Sequence, residues 1–178
     1  AADNGDVKAI ELLLSSGDSI AATDLLKQTP LHRAARNGHL NAVQLLLSKG
    51  ASSDIPDRVG RTAVIAASQS NNLALLKLLI DRNGDVNSRT AGGMTALHYA
   101  ALTSTAMTRL LLSSGAEIDA INSDGETALS QLIDRGISRH WARIKLLISS
   151  NASLNHRNPN GKTILDLSLS EGHLPLFR

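Results

Sequence analysis

A threonine that opens a short apolar helix recurs along this chain at a nearly constant interval. The spacings between successive copies are 33, 33, 32 and 36 residues, and the threonines are Thr29, Thr62, Thr95, Thr127 and Thr163. A period near 33 residues indicates stacked supersecondary units, each of which buries its apolar surface against its neighbours. The chain is therefore predicted to be a repeat solenoid rather than a domain built around one large core.

The most regular unit begins at Thr29 and predicts a pair of helices. Thr29 is suited to cap a helix N-terminus, and Pro30 has the backbone angle of a first helical turn. Gly38 interrupts the apolar pattern, residues 40–47 place leucines at helical spacing, and Gly50 ends the pattern. Two short helices joined by a tight turn are predicted to be antiparallel neighbours.

Turn signals separate the helix pairs. Glycine stands last in the turns at residues 57–60, 91–93, 122–125 and 158–161, where it permits the positive φ of a tight turn or short hairpin. The turn at residues 24–27 has two leucines and no glycine. We therefore expect it to be the least regular of the set.

Several units depart from the pattern. In the unit from Thr127, Leu132 and Ile133 replace the paired alanines, and about three extra residues are present near 137–139. Larger side chains are expected to widen that helix pair. The unit from Thr95 has an inter-helix turn that is one residue short, at 104–105.

Composition excludes several classes of protein. The 178 residues contain no cysteine, which removes disulfides and thiolate metal sites, and no apolar run approaches a membrane span. The 18 Lys and Arg residues are interspersed with 16 Asp and Glu residues, which disfavours nucleic-acid binding. No metal ligand series and no catalytic motif are evident, so the chain is predicted not to be an enzyme and to need no cofactor.

The hexapeptide Thr29-Pro30-Leu31-His32-Arg33-Ala34 and its near copy from Thr95 to Ala100 resemble the signature of ankyrin repeats. The resemblance implies an all-α solenoid of stacked antiparallel helix pairs joined by short β-hairpin-like loops. It covers residues 1–178 as one domain, and we expect this domain to be a fragment of a longer chain. The units, of which the first and last are incomplete, are approximately 1–28, 29–61, 62–94, 95–126, 127–162 and 163–178.

The resemblance also implies a function. We expect a non-catalytic protein–protein interaction module that binds a protein or an extended peptide along a concave face of turns and first helices. It is expected to be intracellular and cytoplasmic, with no nucleic-acid partner, no membrane insertion and an undetermined oligomeric state. The alternative is a regulatory or scaffolding segment of a larger enzyme or channel, with the groove engaged intramolecularly.

By the resemblance, the residues that contact a partner precede each threonine or follow each alanine pair. The predicted partner-binding residues are Gln28, Arg36, Asn37, Arg58, Arg61, Gln69, Ser70, Met94, Leu102, Thr103, Glu126, Asp134 and Arg135.

Two histidines could indicate chemistry, because histidine serves as a base, a metal ligand and a pH switch. His32 and His98 occupy the same place in two units. A residue reused at one repeat position favours an architectural role, here a hydrogen bond from a helix start to a neighbouring turn. The structural interpretation is therefore preferred to a catalytic one.

Two further motifs have a structural and a functional interpretation. Residues 139–145 combine basic side chains with Trp141, as nucleic-acid binders do, but Trp141 falls in the register of Leu40 and is predicted to be a core residue. Gly161-Lys162-Thr163 resembles the end of a phosphate-binding loop. Because the earlier glycine of that motif is missing, the repeat register explains these residues better.

Overall fold

The computed structural model describes residues 1–157, 160–163 and 165–166, and these residues form paired helices in two layers. A 3-10 helix, Ala2–Asn4, precedes the α-helices α1 Val7–Ser15, α2 Pro30–Arg36, α3 Leu40–Ser48, α4 Ala63–Gln69, α5 Leu73–Asp81, α6 Ala96–Thr103, α7 Thr105–Ser113, α8 Ala128–Asp134 and α9 Ile137–Ser149. Helices α2, α4, α6 and α8 pack in sequence in one layer, and α1, α3, α5, α7 and α9 in the other. The predicted all-α solenoid of helix pairs is confirmed.

The recurring threonines are the N-caps of the first helices. Thr29 and Thr127 each accept a hydrogen bond from the backbone three residues on, and Pro30 stands at the first helical position. Thr62 and Thr95 are the N-caps of α4 and α6. Because a cap satisfies backbone donors that the helix leaves unpaired, it sets where each helix begins.

Small residues of the first helices and leucines of the second helices form the core. Ala34 and Ala35 are fully buried in α2, while Leu46 and Leu79 are fully buried in α3 and α5. Burying one leucine contributes about 1.5–3 kcal/mol, so stability is spread along the stack in many similar increments.

The unit that begins at Thr127 accommodates its larger residues and its insertion within the helices. Leu132 and Ile133 are buried in α8. Helix α9 has 13 residues, whereas α3 has 9, and it begins at buried Ile137. The extra residues therefore add a helical turn. In the unit before it, the shortened connection is Ser104 alone, which ends α6 and whose side chain caps α7.

The turns that precede the first helices share one hydrogen-bonding pattern. In residues 57–61, Asp57 N–H donates to the Arg61 carbonyl at 2.8 Å, and Gly60 N–H donates to the Asp57 carbonyl at 3.0 Å. The expectation that the turn at residues 24–27 is the least regular is wrong, since the Asp24 and Lys27 N–H groups make the same two bonds, to the carbonyls of Gln28 and Asp24. Lys27 adopts a φ of 57°, the conformation that glycine adopts in the other turns.

Backbone hydrogen bonds also join one turn to the next. Arg58 N–H donates to the Leu26 carbonyl at 2.8 Å, Ala91 N–H to the Val59 carbonyl at 2.9 Å, and Ser123 N–H to the Gly92 carbonyl at 2.9 Å. The turns at residues 24–28, 57–61, 90–94 and 122–126, called tips one to four below, therefore form a continuous ladder.

The predicted burial of Trp141 is wrong. Trp141 is 39% exposed, and Leu40, with which it shares a register in the sequence, is 37% exposed. This repeat position is half-covered in both units, and a larger side chain at it extends into solvent. None of the helices in the described residues has the length and hydropathy of a membrane crossing.

Candidate protein-binding surface

Tips one to four and the neighbouring helices α2, α4, α6 and α8 form one surface, called the tip–helix face below. The tip ladder fixes the order of the tips, and each first helix begins directly after its tip. The backbone of this face is therefore held by hydrogen bonds, while the side chains on it differ from unit to unit.

Histidines connect each of two first helices to the tip that follows. His32 Nε2 donates to the Arg61 carbonyl at 2.8 Å, and its Nδ1 lies 2.8 Å from Thr29 Oγ1. His98 repeats the arrangement with Thr95 and with the Glu126 carbonyl, at 2.9 and 3.1 Å. The structural interpretation of both histidines is confirmed. Burial lowers the pKa of His98, while its hydrogen bond to the Glu126 carbonyl opposes the shift.

A buried carboxylate organises tip two. Asp57 accepts hydrogen bonds from the backbone N–H of Val59 and Arg61 and forms an ion pair with the Arg61 guanidinium at 2.7 Å. Burial raises the pKa of Asp57, but these hydrogen bonds outweigh it and hold that pKa below its ordinary value. Arg61 is therefore engaged in holding the tip.

The prediction that Gln28 is a surface residue is wrong. Gln28 is 4% exposed, and its Nε2 donates to Asp57 Oδ2 at 3.3 Å. It links tip one to tip two beneath the face. Sequence position alone could not reveal this, because the partner carboxylate lies in the next unit.

The other predicted contact residues divide by exposure. Six are exposed at tips or at first-helix ends. One of the six, Asn37, donates hydrogen bonds from its amide to the Asp3 carboxylate and carbonyl. The other five exposed residues are Arg36, Arg58, Thr103, Asp134 and Arg135. Those that are half-buried are Arg61, Gln69, Ser70, Met94, Leu102 and Glu126.

Apolar residues lie in the middle of the face, and the sequence analysis predicted two of them, Met94 and Leu102, as contact residues. Met94 Sδ lies 3.4 Å from Asn122 Nδ2 and 3.9 Å from Gln131 Nε2, which brings tip three against the next unit. Leu102 and Tyr99 are half-buried on α6. Tyr99 and Gln131 were not predicted, although both occupy the variable fifth position of the six-residue motif.

Aliphatic side chains at the first two tips were also not selected as contact residues. Leu25 is 96% exposed, Leu26 is 45% exposed, and Val59 on the adjoining tip is 47% exposed. The available signal was the pair of leucines inside a turn, since exposed turns favour glycine and small polar residues.

The basic stretch around Trp141 lies in the second-helix layer, apart from the tip–helix face. Arg143 Nη2 is 2.7 Å from His140 Nδ1, so the histidine accepts this hydrogen bond in its neutral form. Burial lowers the pKa of His140, and Arg143, Arg139 and Arg135 lower it further.

Thr163 makes the hydrogen bonds of a helix N-cap. Its Oγ1 donates to Asp166 Oδ2 at 2.8 Å and accepts from the Asp166 N–H at 3.2 Å. These contacts favour the repeat interpretation of Gly161-Lys162-Thr163. Most of this last, incomplete unit lies outside the described residues.

Comparison with known families agrees with this architecture. A family model of ankyrin repeats in three copies matches residues 1–90, 50–122 and 65–137, and together these matches cover most of the chain. The chain belongs to the ankyrin-repeat family. Ankyrin repeats generally bind other proteins and are typically non-catalytic. No curated protein matches the chain.

Proposed function

We propose that this chain is a non-catalytic module that binds a protein or an extended peptide along its tip–helix face. The observation that carries the proposal is the tip ladder, in which backbone hydrogen bonds of 2.8–2.9 Å join four consecutive tips. A backbone fixed in this way loses little conformational freedom when a partner binds, so more of the contact energy appears as affinity.

The chemistry of the face supports a protein partner. Half-buried apolar residues lie at tip three and on α6, namely Met94, Tyr99 and Leu102, and exposed polar residues lie towards both ends, including Arg36 and Asp134. An apolar centre with a polar rim is the usual composition of protein interfaces, where a few central side chains supply most of the affinity.

The near balance of charge favours protein over nucleic acid. The chain carries a formal charge of +2, and Asp124 and Glu126 lie at tip four of the proposed face. A nucleic-acid partner requires an excess of cations along the contact and loses affinity steeply with added salt.

Selection from a displayed library of short random peptides tests the proposal, with the full chain as bait. Peptides recovered on the native chain are then measured against Met94→Ala with Leu102→Ala. We expect their affinity to fall by about tenfold or more, since the variant removes two central apolar contacts.

The matched control changes exposed residues of the other layer, Lys77→Ser with Arg109→Ser on α5 and α7. Circular dichroism establishes that each variant stays folded. Arg61 is left intact, because it holds tip two through Asp57. An equal loss of affinity in the control would contradict a site on this face, and no loss in the Met94 and Leu102 variant would contradict a site centred on those two residues.

A further inference from the structure

Tip one departs from two local rules. Leu25 is 96% exposed at a turn position where its counterparts are Arg58, Ala91 and Ser123. Lys27 holds a φ of 57° where the other three tips have glycine, a conformation that costs a side-chain-bearing residue about 1 kcal/mol. When a residue is unfavourable for its local conformation or exposure and the fold does not need it, the position is often functional.

The adjoining tip continues the apolar surface. The 2.8 Å hydrogen bond from Arg58 N–H to the Leu26 carbonyl places tips one and two side by side. Leu26 and Val59 are 45% and 47% exposed. Leu25, Leu26, Lys27, Arg58 and Val59 are called the first-tips patch below.

The carboxylates near this patch are engaged inside their own tips. Asp24 accepts hydrogen bonds from the backbone N–H of Leu26 and Gln28 and pairs with Arg33 at 2.7 Å. Asp57 is engaged by Arg61 in the same way. Lys27 and Arg58 are exposed, and within the described part of the chain neither forms an ion pair. The patch is therefore apolar and positively charged.

The opposite end of the ladder has different chemistry. Tip four presents Ser123 and Asp124 at the positions of Leu25 and Leu26, followed by Glu126. Tip three presents Ala91 and Gly92. The face consequently changes from apolar and basic at its first tips to polar and acidic at its fourth, which gives a bound segment a preferred direction.

We propose that the first-tips patch is the anchor for an acidic segment of a partner protein, in which aliphatic or aromatic side chains stand next to carboxylates. This inference rests on the proposed function and specifies its partner. Apolar side chains of the segment cover Leu25, Leu26 and Val59, while its carboxylates face Lys27 and Arg58.

A nucleic acid or an anionic membrane could also contact exposed leucines and cations. A nucleic acid would leave the leucines without apolar contact, and no aromatic residue lies at these two tips to stack on bases. At an anionic membrane the two cations supply only about 2 kcal/mol, so attachment there would depend on the three aliphatic side chains, which the vesicle measurement below tests. A protein segment satisfies both the charges and the apolar surface.

The peptide selection described above also tests this inference. Peptides enriched on the native chain are expected to combine Asp or Glu with Leu, Ile, Phe or Met. Affinities of the resynthesised peptides are then compared between the native chain, Leu25→Ser with Leu26→Ser, and Lys27→Gly with Arg58→Ser. Glycine is chosen at position 27 because it suits the backbone there, and Lys49→Ser, an exposed cation of the other layer, is the matched control.

We expect the leucine variant to weaken binding by about tenfold or more and the charge variant by about threefold to tenfold, with the charge effect lost in high salt. The control should bind as the native chain does. Circular dichroism and urea unfolding check that the variants remain folded.

Three results would overturn the inference. Binders that ignore the first-tips patch but depend on Met94 and Leu102 would refute it and leave the proposed function standing. Recovery of no binder would count against both. Binding of the native chain to phosphatidylserine vesicles or single-stranded DNA, at conditions where acidic peptides do not bind, would assign the patch to another class of partner.

Discussion

His32 Nε2 lies 2.8 Å from the carbonyl oxygen of Arg61, so one ring joins the start of helix α2 to the tip that precedes helix α4. The same ring accepts a hydrogen bond from the Thr29 N–H, which completes the cap of its own helix. A single buried side chain thus sets a helix start and the spacing between neighbouring units.

Replacing His32 with alanine should lower the free energy of unfolding by about 2 kcal/mol, because the Arg61 carbonyl and the Thr29 N–H lose their partner. Urea unfolding followed by circular dichroism measures the change. His39→Ala is the control, since His39 is half-buried and makes one bond to the Asp3 carbonyl. Its loss should be less than about 1 kcal/mol. Equal losses in the two variants would show that His32 has no special role.

His98 should make stability depend on pH. Burial holds its pKa below the ordinary value of 6.5, so the unfolded chain binds a proton more readily than the folded one. Its contribution is complete above the unfolded pKa and is lost as pH falls through that value towards the folded pKa. The urea midpoint of unfolding should therefore be lower at about pH 5.5 than at about pH 7.5.

The variant His98→Gln should show a smaller fall over the same range of pH. His140, whose pKa burial also lowers, acts in the same direction and accounts for part of the remaining dependence. An acid response as large as that of the native chain would contradict the role of His98.

Lys27→Gly should stabilise the chain by about 0.5–1 kcal/mol, because it relieves the left-handed conformation at φ 57°. The matched change in tip two, Gly60→Ala, should destabilise by more than about 1 kcal/mol. A Cβ at position 60 would lie 2.8 Å from the Ala91 nitrogen and break the contact between tips two and three. Thermal unfolding distinguishes the two, and a loss of stability in Lys27→Gly would refute this account of tip one.

Trp141→Ala should cost about 1 kcal/mol, whereas Leu147→Ala on the same helix should cost about 2–5 kcal/mol. Trp141 is 39% exposed and Leu147 is fully buried. Urea unfolding measures both losses by circular dichroism. Acrylamide should quench the fluorescence of the single tryptophan readily in the folded chain. A protected tryptophan, or a loss as large as that of Leu147→Ala, would place the side chain in the core.

The repeat register could be predicted because it is local. A threonine cap, a proline at a first helical turn and a glycine after a helix act within a few residues, so their order along the chain specifies where helices begin and end. The shared role of His32 and His98 was also predictable, because recurrence at one repeat position indicates an architectural function.

Exposure and side-chain partners could not be predicted in this way, because they depend on the neighbouring unit. Gln28 was assigned to the surface by position, yet it is buried and donates a hydrogen bond to Asp57, 29 residues further on. Trp141 was assigned to the core by register, yet the position that it shares with Leu40 is half-covered in both units. The turn at residues 24–27 was expected to be the least regular, yet Lys27 adopts there the backbone conformation that glycine adopts in the other tips.

The sequence by itself determined the family, the order of the helix pairs and the positions of their caps, since each follows from short-range backbone preferences repeated at a constant interval. Only the tertiary structure decided which side chains face solvent. Stacking one unit on the next covers Gln28 and joins its amide to Asp57, while local hydrogen bonds engage the carboxylates of Asp24 and Asp57 within their own units. It leaves Leu25, Lys27 and Arg58 exposed on a continuous ladder, because the hydrogen bonds between tips use backbone atoms and leave these side chains outside.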